Sequence, residues 1–207
     1  MEVFLVLSVD FDFIVEGLKD YWNLLHFDQF LSENHAILIR LSPMIMFEAS
    51  DYLEALNGNG FKLINKVMEY NTKVVAIDAP LSHAKGYRKV DLKMKKLGFK
   101  VLPPGWRSMK LLVDRAIKLK NILEDRGVRV IETHPLSALR SSGYSNVEQL
   151  ISELGVTIDI KNKHLLEIKD VVDAIIAAIV AKLYLESKTL KVSDVDGTIH
   201  LIPRIKS

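Results

Sequence analysis

Apolar positions along the chain follow two patterns, and together they predict an α/β order of elements. Short apolar runs rich in β-branched residues predict strands at 2–9, 36–41, 73–77, 128–131 and 198–202, with a weaker candidate at 22–27. Apolar residues at spacings of three and four predict helices at 86–97, 108–126, 145–154 and 165–186. Three early strands therefore precede an alternation of helices and strands.

This order predicts both pairing modes in one sheet. The short connections between the early strands predict an antiparallel meander, and the later strand–helix alternation predicts parallel pairing. Ribonuclease-H-like domains have this mixed order, so we expect an α/β fold with a mixed five-stranded sheet flanked by helices. The 207 residues contain no linker or repeat, which predicts a single ribonuclease-H-like domain over residues 1–207.

Composition narrows the class of protein. The chain has no cysteine, which excludes disulfides, thiolate chemistry and cysteine-ligated zinc and fits a cytoplasmic protein. The apolar start lacks the basic residues and cleavage site of a signal peptide. The apolar run Val171 to Ala181 is interrupted by Asp173 and is too short to cross a bilayer. We therefore expect no membrane association.

Charge is distributed unevenly along the chain. The segment from Lys85 to Arg129 holds fourteen Lys and Arg against four Asp and Glu, a net charge of +10. Because the whole chain carries +2, the remainder carries −8. A basic segment beside an acidic remainder favours a phosphate-backbone ligand and predicts nucleic acid as a partner. The alternative is the solvated helical surface of a lysine-rich protein.

Carboxylates at the ends of predicted strands are the candidate catalytic and metal-binding groups. The chain has no Gly-rich dinucleotide loop, Walker A loop, zincin motif or nucleophile elbow. Instead Asp10, Asp78 and Glu132 each follow a predicted strand, and the carboxyl ends of parallel strands meet in one crevice. Asp12 is a rival to Asp10 on the same strand face.

Asp173 is the fourth candidate, because it lies in the most apolar helix of the chain. An unpaired carboxylate there would cost several kcal/mol of desolvation, so it needs a cation, donors or a cleft. Oxygen ligands suit Mg²⁺ or Mn²⁺. We therefore predict a catalytic metal site formed by Asp10, Asp78, Glu132 and Asp173, in which two ions activate water and stabilise the leaving oxygen of a phosphodiester.

Each of these residues also has a structural interpretation. Asp78 before Ala79-Pro80 can cap a turn, and Glu132 can form an ion pair with Arg88 or Arg129. Asp170 is interpreted as a solvated carboxylate at a helix start. Lone histidines such as His134 and His164 are more often structural than catalytic.

Several motifs resemble one family when they are taken in order. They are IDAPLS at 77–82, Gly86-Tyr87-Arg88 with Asp91, IETHP at 131–135, Lys163-His164 before Asp170-x-x-Asp173-Ala174, and Asp196-Gly197-Thr198-Ile199 with Pro203. Over roughly residues 73–203 the chain resembles family 429 of the domains of unknown function, which is predicted to contain ribonuclease-H-like nucleases. The resemblance implies that Asp78, Glu132 and Asp173 form the acidic site. It also places Arg88, Asp91, Lys163 and His164 near that site, with Arg88 and Lys163 as phosphate binders.

Three function classes follow from the sequence. The first is a metal-dependent nuclease or related phosphodiesterase. The second is a non-catalytic nucleic-acid-binding module on the same fold, which would bind through the basic segment in a salt-sensitive way. The third is a nucleotide or small-phosphate enzyme, which usually needs two such domains around a cleft; this chain has room for one, so a homodimer would have to build it.

Overall fold

A computed structural model of the chain describes residues 4–8, 36–40, 64, 67–68, 71–155, 167 and 169–206. Within these residues the strands are β1 (Phe4–Ser8), β2 (Ala36–Arg40), β3 (Val74–Asp78), β4 (Arg129–Thr133), β5 (Leu190–Asp194) and β6 (Gly197–Leu201). The helices are α1 (Lys89–Lys96), α2 (Arg107–Glu124), α3 (Pro135–Ser142), α4 (Val147–Glu153) and α5 (Lys169–Leu185). The predicted strand at 22–27 lies outside the described residues.

The strands form one open mixed sheet in the order β2-β1-β3-β4-β6-β5. All neighbouring pairs are parallel except the terminal β5–β6 hairpin. The α/β class is therefore confirmed. The antiparallel meander expected for the early strands is wrong, because β1 pairs with β2 in parallel. The described part of the sheet has six strands where the sequence predicted five.

Helices cover both faces of the sheet, and the alternation of side chains along β3 shows how. Val74 and Ala76 pack into a core with α3, α4 and α5, whereas Val75 and Ile77 pack into a second core with α2. Since successive side chains of a strand point to opposite faces, an apolar run without alternation is the pattern of a strand buried on both sides. The sheet is thus the middle layer of three.

Helix α5 is the most apolar helix among the described residues. All eight residues from Ala174 to Ala181 are buried, and the helix packs against β1 and β3. Its burial comes from this packing against the sheet. No helix in the described parts of the chain has the length and apolar character needed to cross a membrane.

Candidate functional site

A cleft of about 210 Å³ lies at the carboxyl edge of the parallel strands β3 and β4. Asp78 is the last residue of β3, and Ile77 is paired with Glu132 in β4. Because the two strands run parallel, both carboxylates come to the same edge of the sheet, and both line the cleft. The structure thus brings together Asp78 and Glu132, two of the four carboxylates that the sequence singled out.

Glu132 is buried and fully engaged with protein donors. It is 5% exposed, and its Oε1 accepts a hydrogen bond of 2.5 Å from Arg88 Nη2. Its Oε2 accepts bonds of 2.8 Å from Arg88 Nη1 and from the backbone N–H of Leu81. Burial raises the pKa of the Glu132 carboxyl, and the bonds from Arg88 and Leu81 oppose that rise. The ion-pair interpretation of Glu132 is the one that these contacts support, with Arg88 as its partner.

Arg88 is the centre of this buried network. Besides Glu132, its guanidinium donates to Asp91 from Nε and Nη2 and to Ser82 Oγ from Nη1. All five N–H donors of the guanidinium therefore have protein acceptors, and the residue is 2% exposed. Burial lowers the pKa of Arg88, but its hydrogen bonds to Glu132 and Asp91 outweigh burial, so the net pKa is raised. This buried place does not fit the phosphate-binding role that the family resemblance implies for Arg88.

The turn between β5 and β6 also contacts this network, through Asp196. Asp196 accepts bonds from the backbone N–H groups of Lys89 (2.5 Å) and Val90 (3.1 Å) at the start of α1. The Asp196 carbonyl accepts a bond of 2.6 Å from Ser82 Oγ. Four of the motifs that the sequence set apart, at 77–82, 86–91, 131–135 and 196–199, therefore meet around Arg88. Their contacts hold the 79–88 loop, which forms one side of the cleft.

Asp173 lies on α5 with its side chain 13% exposed, and its Oδ2 is 3.5 Å from Lys169 Nζ. Lys169, one turn earlier, lines the cleft, whereas Asp173 itself is not among the cleft-lining residues in the described part of the chain. The apolar surroundings predicted for Asp173 are present, and a lysine supplies the cation that they require. Three other predicted residues, Asp10, Lys163 and His164, lie outside the described residues, as do the rival Asp12 and the side chain of Asp170.

The described carboxylates do not by themselves fit a divalent ion. Among the described residues, no group of three or more His, Asp or Glu side chains is arranged to hold a metal. Glu132 already accepts three hydrogen bonds, and Asp173 lies beside an ammonium group. A metal site with Asp78 would need ligands from outside the described residues, of which Asp10 is the one that the sequence names. The site with Mg²⁺ or Mn²⁺ stays a prediction.

His134 is a cleft residue that the sequence treated as structural. It directly follows Glu132-Thr133 at the end of β4 and is the N-cap of α3, where Ser137 N–H donates to its Nδ1. Burial lowers the pKa of His134, and the nearby cations Lys169 and Arg140 lower it further. Its position just past a strand end, before a proline that can begin a helix, was the signal available in the sequence.

Comparison with known proteins adds no family to these observations: no family model, no curated protein and no solved structure matches the chain. The resemblance to family 429 of the domains of unknown function therefore stays a prediction that rests on the order of its motifs.

Proposed function

We propose that this protein is a divalent-metal-dependent phosphodiesterase that cleaves nucleic acid, with its active site in the cleft at the carboxyl ends of β3 and β4. One observation carries the proposal: Asp78 shares this cleft with His134 and Lys169. A carboxylate beside N–H donors gives a site that can act on a phosphodiester, with one group for metal or water and others for phosphate oxygens. The basic segment that supplies α1 and α2 favours a polyanionic substrate.

In this proposal the carboxylates have different roles. Asp78 and Asp10 would hold Mg²⁺ or Mn²⁺, and a bound ion would supply an activated water and stabilise the leaving oxygen. Asp173 pairs with Lys169 and is not among the described residues that line the cleft. Glu132 positions the cleft wall through Arg88 and Leu81. This division differs from the four equal metal ligands that the sequence predicts, because Glu132 has its oxygens committed to protein donors.

The ribonuclease-H-like arrangement is part of the proposal. It is supported by the three adjacent parallel strands β1, β3 and β4, which carry the candidate carboxylates at or just beyond their carboxyl ends. Asp10 lies two residues after the end of β1, and Ser8 is paired with Asp78 in the neighbouring strand. The parallel β1–β2 pair departs from the expected meander, so the fold detail rests on the remaining strands.

The test is a cleavage assay on labelled single-stranded RNA, single-stranded DNA, duplex DNA and an RNA–DNA hybrid, each with EDTA, Mg²⁺ or Mn²⁺. We expect cleavage of at least one substrate with metal, and a fall to the EDTA rate in Asp78→Asn. The matched control is Asp125→Asn, an exposed aspartate at the far end of α2, which should cleave like the native protein. All proteins would be purified identically and compared by circular dichroism.

Metal-independent cleavage, or equal rates in Asp78→Asn and Asp125→Asn, would refute the proposal. Binding to an oligonucleotide in EDTA, with no cleavage in any metal, would instead support the non-catalytic binding module. Gel-shift measurements at rising salt on the same samples separate these results, because phosphate contacts weaken as salt rises.

A further inference from the structure

The imidazole of His134 has a fixed orientation. Its Nδ1 accepts a hydrogen bond from the backbone N–H of Ser137 at 3.3 Å and lies 2.8 Å from Ser137 Oγ. A backbone N–H can only donate, so Nδ1 carries a lone pair and the ring proton lies on Nε2. While Nδ1 accepts this bond, the ring is neutral and its one N–H donor is at Nε2.

That donor is available to a ligand. Within the described part of the chain, Nε2 has no hydrogen-bond partner, and Thr72 Oγ1 is the one side-chain polar atom that is both fully buried and unpartnered. The Nε2–H group is therefore not sealed inside the protein, and His134 lines the cleft. A polar N–H group that stays open on the wall of a cleft is the kind of group that orients a bound substrate.

A cation on the same wall indicates the class of ligand. Lys169 also lines the cleft; its side chain is 70% exposed, and its Nζ lies 3.5 Å from Asp173 Oδ2. Three carboxylates line the cleft: Asp91 and Glu132 are both bonded to Arg88, which offsets much of their charge, and Asp78 is the remaining anionic group. A positive charge with a neutral N–H donor is complementary to an oxyanion, and charge-assisted hydrogen bonds to phosphate are among the stronger ones in proteins.

We infer that His134 and Lys169 form a subsite that binds a non-bridging phosphoryl oxygen of the substrate, with His134 donating from Nε2. The inference rests on the proposed phosphodiesterase function, which it deepens by assigning the phosphate to the α3–α5 side of the cleft. The two ring nitrogens of His134 then have separate roles: Nδ1 caps helix α3, and Nε2 binds the phosphoryl oxygen.

Two substitutions separate these tasks. In His134→Asn the side-chain oxygen can replace Nδ1 as the helix cap, but the side chain is too short to present a donor at the position of Nε2. In His134→Gln the amide N–H group can replace Nε2, but the cap is lost. We expect His134→Asn to keep the native melting temperature and to lose phosphate affinity. We expect His134→Gln to have a lower melting temperature and to keep phosphate affinity.

The binding probes are inorganic phosphate and a dinucleotide with one phosphodiester, each titrated by NMR in EDTA so that no cleavage is involved. We expect the native His134 ring to show the Nε2–H tautomer, with its Nε2 signal shifting on addition of phosphate. The dissociation constant should rise at least about tenfold in His134→Asn and stay within about threefold in His134→Gln.

Three results would overturn the inference. They are an Nδ1–H tautomer, the absence of phosphate binding by the native protein, and dissociation constants that change equally in the two variants. Failure of the nuclease proposal would look different, because cleavage would then be absent while phosphate still bound at His134. The EDTA titration and the metal-dependent cleavage assay therefore fail independently.

Discussion

At the scale of single residues, Arg88 was expected either to bind phosphate or to pair with Glu132. It is buried, and it donates hydrogen bonds to Glu132, Asp91 and Ser82. One guanidinium faces two carboxylates, Asp91 and Glu132, and all three residues are at most 5% exposed. Burying charges is costly, and the cost is offset only when each group has partners, as here. Removing the arginine would leave both carboxylates uncompensated inside the protein.

We therefore expect Arg88→Met to lower the free energy of unfolding by about 3 to 5 kcal/mol. Arg88→Lys keeps the charge but has three donors in place of five, so its loss should be smaller. The exposed Arg129→Met is the control and should stay within about 0.5 kcal/mol of the native protein. Urea unfolding at pH 7 measures all three, and a loss under 1 kcal/mol in Arg88→Met would contradict the structural role.

At the scale of elements, the cleft wall depends on two loops that cross closely. The backbone N–H of Gly105 donates to Gly86 O at 3.2 Å. A Cβ on Gly105 would lie 2.2 Å from the carbonyl carbon of Lys85, whereas a Cβ on Gly86 would have nothing within 4 Å. Because the clash is with backbone, no side-chain rotation can relieve it, and one loop would have to move.

Gly105→Ala should therefore destabilise the protein by about 1 to 3 kcal/mol and disturb the 79–88 loop. Gly86→Ala is the matched control, expected within about 0.5 kcal/mol, since the added methyl group meets open space. Thermal unfolding gives the stabilities. Equal melting temperatures for the two variants would show that the loops do not approach each other as described.

The elements also show what the sequence could predict. Strands β3 and β4 and helices α2 and α5 were found because their buried residues are contiguous or recur at helical spacing. Strand β5 was missed because Val192 is its one buried residue. Helix α3 lies between the predicted strand at 128–131 and the predicted helix at 145–154 and was missed, although Pro135 stands at its first position, where proline is favoured.

At the scale of the whole molecule, pairing direction and side-chain partners were hardest to predict. Local apolar runs predicted β1 and β2, but a run does not encode whether its neighbour is parallel, and the meander was the wrong choice. Glu132 was placed at the cleft by strand order alone. The sequence also named Arg88 and Arg129 as alternative ion-pair partners of Glu132. The choice of Arg88, 44 positions away, depends on how the 79–88 loop folds back, which no spacing in the sequence specifies.

The stability of the whole fold should depend on pH through its buried histidines. His200 on β6 is 6% exposed, its Nδ1 lies 2.9 Å from Thr189 Oγ1, and Tyr184 packs edge-on against its ring. Burial lowers the pKa of His200 to about 4, and Lys191 contributes to the shift. The unfolded chain, in which a histidine has a pKa near 6.5, therefore binds more protons than the folded protein between these values.

This difference gives a stabilising contribution that is complete above about pH 6.5 and is lost as the pH falls towards 4, by about 3 kcal/mol in total. His200→Asn keeps an acceptor for Thr189 but cannot titrate in this range. We expect it to be less stable than the native protein at pH 7 and to lose less stability between pH 7 and 4.5. Urea unfolding at intervals across this range measures how the free energy of unfolding of each protein changes with pH.

His134, whose pKa is also lowered, should leave a residual pH dependence in the variant. Parallel pH profiles for the two proteins would mean that His200 is protonated in the folded state as readily as in the unfolded chain, contrary to its burial on β6.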